Sequence, residues 1–195
     1  MVNAVRYYFA LLLVVALPPA LLFWFIVHPF VQYWRRFGPG WTHTIVWSLL
    51  ALLMGGLFRV RGTLLAVDFG RSAVLMVAGL VILMIAVWLR VKLSRQMTVR
   101  IQMGFPELDR EGRTGKLLTE GAYAVVRHPR YVQMLIAIAG WALVCNYLAV
   151  YVLFLLAVPA IYLIGVVEER ELRARFGNAY DEYSRRVPRF LPRLG

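Results

Sequence analysis

Five stretches of this chain run apolar with almost no charge: Tyr7 to Val27, Trp41 to Phe58, Ser72 to Leu89, Tyr131 to Val144 and Leu148 to Val167. A helix rises about 1.5 Å per residue, so roughly 20 apolar residues cross a hydrocarbon core about 30 Å thick. In lipid, each backbone N–H and C=O must be satisfied within the segment, and for runs this long that means a helix. The chain reads as an all-α, polytopic integral membrane protein with about five spans. Its composition agrees: 61% of the 195 residues are hydrophobic and 16% charged. A soluble domain is about half apolar and about a quarter charged.

Residues 1–195 read as one membrane domain. Residues 1–90 hold the first three spans, 91–130 a polar loop, 131–167 a helical hairpin and 168–195 a tail. The loop is too short to fold as a domain of its own. Arg6 resembles the start of a signal peptide, but the first run continues through Pro18 and Pro19 into LLFWFIV with no small-residue cleavage site. It reads as a retained span, kinked at the prolines. Gly55 and Gly56 offer the second span a close helix contact. Only Cys145, Asn146 and Tyr147 separate the fourth and fifth spans, which makes a tight antiparallel hairpin. The fourth is short, and its start extends toward RHPRY.

The net charge is +12. In a membrane protein that excess serves anionic headgroups and orientation, so membrane lipids and not nucleic acid are the expected partners. Nine Lys or Arg fall between Arg90 and Arg130, seven follow Val167, and Arg35 and Arg36 join them on the same side. Only Arg6, Arg59, Arg61 and Arg71 fall on the other. The positive side is expected to be cytoplasmic, in a bacterial-type inner membrane. The arginines near residues 59–71 leave open a re-entrant segment there. One cysteine, Cys145, excludes an internal disulfide, and His28, His43 and His128 are too scattered to form a metal site.

The hairpin returns the chain to the side it left. Arg127-His128-Pro129-Arg130-Tyr131 therefore meets the exit of the fifth span, where Glu168, Glu169 and Glu171 alternate with Arg170, Arg173 and Arg175. Ionisable groups at membrane depth point to a functional site. A purely structural role, with basic anchors and an amphipathic surface helix ending at Gly177, is the competing reading of the same residues. Pro129 disfavours helix just before it, so Arg127 and His128 sit at a turn that aims them.

The stretch KLLTEGAYAVVRHPRY, then two spans, then EERELRARFGNAYDEYSRRVPRFLP, resembles the isoprenylcysteine carboxyl methyltransferase family, with phosphatidylethanolamine N-methyltransferases as more distant relatives. The resemblance covers Lys116 to Pro192. It implies an integral membrane enzyme that transfers methyl from S-adenosylmethionine, without a glycine-rich dinucleotide loop, to a lipophilic or lipid acceptor with a carboxylate, thiol or headgroup. By matching position it assigns Lys116, Leu117, Leu118, Gly121, Tyr123, His128, Pro129, Tyr131 and Glu168 to the cofactor. Its catalytic candidates are Arg127, for an anionic acceptor group, and Glu169. Neighbouring helical residues point about 100° apart, so only one glutamate faces the cofactor, and the sequence leaves open which. Gly115 and Gln133 depart from the family pattern, so specificity for a prenylated cysteine does not carry over. Residues 105–113 read as a solvated loop able to act as a lid. A sterol-reductase-like enzyme using NADPH and a non-catalytic scaffold remain as alternatives.

Overall fold

The computed structural model describes residues 2–95, Leu108 and residues 116–192. The expected lid over residues 105–113 and the departure at Gly115 lie, apart from Leu108, outside the described residues. α1 (Val2–Val27) runs through Pro18 and Pro19 and passes by a 3-10 turn, His28–Phe30, into the short α2 (Val31–Trp34). Gly38, at φ 75°, takes a left-handed conformation that favours glycine, and the chain turns there into α3 (Gly38–Arg59), with Pro39 in its first turn. One helical turn, α4 (Arg61–Leu64), is followed by an extended stretch. α5 (Ala73–Ser94) starts where the Ser72 hydroxyl accepts the Leu75 N–H.

α6 (Pro129–Cys145) and α7 (Leu148–Phe176) form the hairpin. α6 starts on Pro129, a residue suited to a first helical position, inside the RHPRY segment. It ends at Asn146, in a left-handed conformation at φ 55°. α7 has 29 residues, roughly 43 Å, so its last turns from Glu168 onward project past a 30 Å hydrocarbon core. Gly177, φ 54°, closes α7 and turns the chain into α8 (Asn178–Arg186).

Four helical segments are long and apolar enough to span a membrane: Val2–Trp34, Gly38–Arg59, Ala73–Ser94 and Leu148–Phe176. α6, at 17 residues, is the shorter apolar fifth. α1 is central, packed against α3, α6 and α7, while α5 lies along α6. The outward faces are apolar, as at Leu52, Val74 and Leu155, which fits a lipid-facing surface.

The close helix approach is not at Gly55 and Gly56, where an added Cβ would find nothing among the described residues within 4 Å. It is between α5 and α6: a Cβ on Gly79 would lie 2.7 Å from the Gly140 carbonyl oxygen, and one on Gly140 2.9 Å from Leu83 Cγ. The hairpin turn is clasped at its own end. Arg6 is buried, its Nε donates to the Cys145 carbonyl at 3.0 Å, and its guanidinium pairs with Asp68. Phe69 N–H donates to Asn146 O at 3.1 Å, and Leu148 N–H to Val67 O at 3.1 Å. Residues 65–72 thus lie against the hairpin turn. At the other end Arg35 Nη2 reaches Glu171 Oε1 at 2.9 Å and ties α2 to α7.

Candidate active site

The site is built where α7 leaves its apolar stretch. Its charged last turns, EERELRARF, are helical because every residue but Phe176 is a good helix former, and α8 folds back beside them from the Gly177 turn. The chain after α8 is extended and pairs with the segment before α6: Arg127 N–H donates to Pro188 O at 2.8 Å and His128 N–H to Arg189 O at 3.1 Å. The residue before a proline is biased to extended backbone, so His128 ahead of Pro129 suits this pairing.

Glu169 is the hub. It is fully buried. Its Oε1 accepts from Arg189 Nε at 2.8 Å, Arg127 Nη2 lies 3.1 Å away and His128 Nε2 3.1 Å. Its Oε2 accepts from Arg189 Nη2 at 2.9 Å, with Arg173 Nη2 at 3.6 Å. A buried carboxylate is tolerated only when paired in this way. Arg127 also donates Nη1 to Ser184 O at 2.8 Å, joining α8 to the same node. His128 lies between Tyr131 and Phe190, with each ring centroid 5.4 Å away. Its Nδ1 stands 3.6 Å from Glu168 Oε2. A Cβ on Gly165 would come within 3.1 Å of Phe190, so the small residue lets the tail close over the imidazole.

Beside this node lies a cavity bordered by Lys116, Leu117, Leu118, Tyr123, Arg127, His128, Tyr131 and Glu168, all singled out from the sequence. Gly121, Pro129 and Glu169 do not border it. Gly121, φ 60°, opens the 3-10 turn Gly121–Ala124, Pro129 starts α6, and Glu169 faces the ion-pair node. The remaining wall includes Arg130 and Arg175, which the sequence already placed at this interface, and residues it did not: Trp24 and His28 from α1 and its turn, Leu172 and Phe176 from α7, and Tyr180 and Tyr183 from α8. Tyr180 and Tyr183 are three apart, a spacing that puts them on one helix face and was readable in NAYDEY. Arg189, the main partner of Glu169, was also missed.

Several buried polar atoms here have no hydrogen-bond partner among the described residues: Glu168 Oε2, Tyr180 OH, Arg127 Nε and both ring nitrogens of His28. Native structures rarely leave such groups unmet without a ligand, ion or water to meet them. Tyr183 OH, by contrast, donates to Tyr123 O at 2.7 Å, and burial pushes its hydroxyl up to about 12, which keeps it a donor. Among the described residues no group of three His, Cys, Asp or Glu side chains is placed to hold a metal ion.

Comparison with known proteins gives these residues a context. The chain is 44% identical over 73 residues to methanethiol S-methyltransferase 2 of Bradyrhizobium diazoefficiens, covering 37% of this chain and 27% of that protein. It is 35% identical over 79 residues to protein-S-isoprenylcysteine O-methyltransferase B of Arabidopsis thaliana, 40% of each chain. It is 33% identical over 79 residues to the nickel-cobalt-cadmium resistance protein NccN of Alcaligenes xylosoxydans xylosoxydans, 40% of this chain and 37% of that one. The matches thus span about two-fifths or less of these relatives' length. No solved structure matches. The phospholipid methyltransferase family matches residues 74–179, more than half of the chain, from the start of α5 through the hairpin into α8. This all-α membrane protein belongs to the phospholipid methyltransferase family.

Proposed function

We propose that the protein is an integral membrane methyltransferase that takes its methyl group from S-adenosylmethionine and delivers it to a lipophilic or lipid acceptor. The carrying observation is the set of unmet polar atoms around the cavity in the family-matched hairpin, Glu168 Oε2 above all. The residues fit the cofactor. Glu168 offers a carboxylate oxygen for its ammonium or ribose hydroxyls. Lys116 and Arg130 offer cations for its carboxylate, and Leu117, Leu118, Tyr123 and Tyr183 an apolar and aromatic wall for its adenine. Bound there, the cofactor supplies a sulfonium methyl, which needs no metal to activate it.

The chain's own part is alignment and exclusion of water. His128, held by Tyr131 and Phe190, keeps Glu168 in place. Gly121 and Pro129 shape the wall. Glu169 positions Arg127, His128 and the tail and does not touch reacting atoms. Arg127 borders the cavity with its Nε–H unmet and is assigned to an anionic group of the acceptor. The relatives' names span thiol and isoprenylcysteine acceptors, and an acceptor of carboxylate, thiol or headgroup type is proposed here. The distribution of Lys and Arg supports a cytoplasmic site in a bacterial-type inner membrane. The test is transfer of labelled methyl from S-adenosylmethionine into organic-extractable material by the purified protein supplied with membrane lipid extract. Label that stays wholly in the aqueous phase contradicts a lipophilic acceptor.

A further inference from the structure

His28 lies outside residues 74–179, so nothing in the family match assigns it a role. It is 4% exposed, and neither ring nitrogen has a hydrogen-bond partner among the described residues. A buried polar group left unmet costs roughly 1–3 kcal/mol, so an unmet imidazole points to a ligand that completes it. The ring stacks on Trp24 with centroids 4.9 Å apart and 20° between planes, which fixes its orientation. It borders two spaces at once. One is the cavity with Glu168, and the other is a groove between the His28–Phe30 turn, α2 and α7 that carries Arg35, Arg36 and Arg170. Arg175 borders both spaces as well, so His28 and Arg175 stand between groove and cavity.

We propose that His28 contacts the methyl acceptor and takes its proton, and that the acceptor is a lipophilic thiol. This rests on the methyltransferase reading above. A neutral imidazole has one N–H donor and one lone pair, and only the lone pair takes a proton. A carboxylic acid arrives already ionised and gives this lone pair nothing to accept. An aliphatic alcohol holds its proton too tightly for an imidazole, and with Glu168 and Arg130 taken up by the cofactor an ammonium is disfavoured by Arg175 on the same cavity wall. A thiol is within reach: it is a far stronger acid than an alcohol, and Arg175 on the cavity wall favours the anion. In the step, the S–H proton moves to the unprotonated ring nitrogen and its electron pair stays on sulfur as thiolate. The imidazolium then releases the proton to water through the outer groove.

The test uses the detergent-purified protein, 1-decanethiol as probe and two readouts. Thiolate ultraviolet absorbance of the bound probe, measured without cofactor, reads His28 directly. Affinity for S-adenosylhomocysteine reads the fold and the cofactor site, so failure of the methyltransferase reading shows separately. Wild type is expected to give the thiolate band at a pH at least one unit below that at which the free probe gives it. His28→Gln, which keeps a hydrogen-bonding side chain, is expected to lose at least tenfold of it while binding S-adenosylhomocysteine within threefold of wild type. A band as strong in His28→Gln as in wild type, or absent in both, overturns the proposal. Loss of S-adenosylhomocysteine binding in His28→Gln also overturns it and assigns His28 to the cofactor wall. With labelled cofactor, methylation of decanoate in place of decanethiol overturns the thiol assignment.

Discussion

Arg189 grips Glu169 by two parallel hydrogen bonds, Nε to Oε1 at 2.8 Å and Nη2 to Oε2 at 2.9 Å. The pair joins the extended tail to α7 and, through Arg127 and His128, to the start of α6. Charge-assisted bonds of this kind are worth roughly 1.5–3 kcal/mol. Arg189→Ala is therefore expected to release the tail. Limited proteolysis should show faster cutting after Val187, and affinity for S-adenosylhomocysteine should fall at least tenfold. A tail as resistant as in wild type would show that the pairing with Arg127 and His128 backbone suffices.

Glu168 and Glu169 should separate cleanly. Glu168→Gln removes a cavity-facing carboxylate whose ion pair among the described residues is the long 3.6 Å contact to His128 Nδ1, so it should weaken S-adenosylhomocysteine about ten- to a hundredfold with little change in unfolding temperature. Glu169→Gln removes a fully buried carboxylate from the partly buried Arg127 and Arg189, and each charge-assisted bond so lost is worth roughly 1.5–3 kcal/mol. It should lower the unfolding temperature first. Thermal melts and titrations of both variants check the division, and equal effects on both readouts contradict it.

The spans and the hairpin were legible because long apolar runs need no partner to be recognised, and RHPRY with EER marked where the site would lie. The rest depends on which helices meet. Nothing near Gly79 or Gly140 says that each faces the other, and Gly55-Gly56, the more suggestive pair on paper, faces open space. Arg189 reaches Glu169 from 20 residues away, and His28 meets Glu168's cavity from 140. Such pairings follow from the tail's fold-back and the central place of α1, which a periodicity argument does not contain.

The α5–α6 contact gives a paired test. Gly79→Ala puts a methyl 2.7 Å from a backbone oxygen, so the helices must separate, and overpacking of this kind costs about 1–3 kcal/mol. Gly55→Ala and Gly56→Ala meet nothing within 4 Å and should be neutral or slightly stabilising. Unfolding temperatures in one detergent compare all three.

At the opposite end, Arg6→Ala should destabilise the protein by about 1–3 kcal/mol by leaving the Cys145 carbonyl unmet, without changing cofactor affinity. Burial pushes the Asp68 carboxyl up, but the Arg6 guanidinium and the Gly70 N–H more than offset that and hold it below its usual range. A depressed folded value means the contribution is complete above the unfolded value near 3.9 and is lost as pH falls through the folded one. The stability difference between wild type and Asp68→Asn should be full at about pH 6 and shrink below about pH 4. A difference that grows on acidification would contradict the clasp.

The cavity beside Glu168 is proposed to hold S-adenosylmethionine. Calorimetric titration of the detergent-purified protein with S-adenosylhomocysteine and, separately, with NADPH tests it most directly. Micromolar or tighter binding of S-adenosylhomocysteine, weakened at least tenfold by Glu168→Gln, with NADPH weak or silent, is the expected result. Tighter binding of NADPH, or no binding of S-adenosylhomocysteine by folded protein, contradicts it.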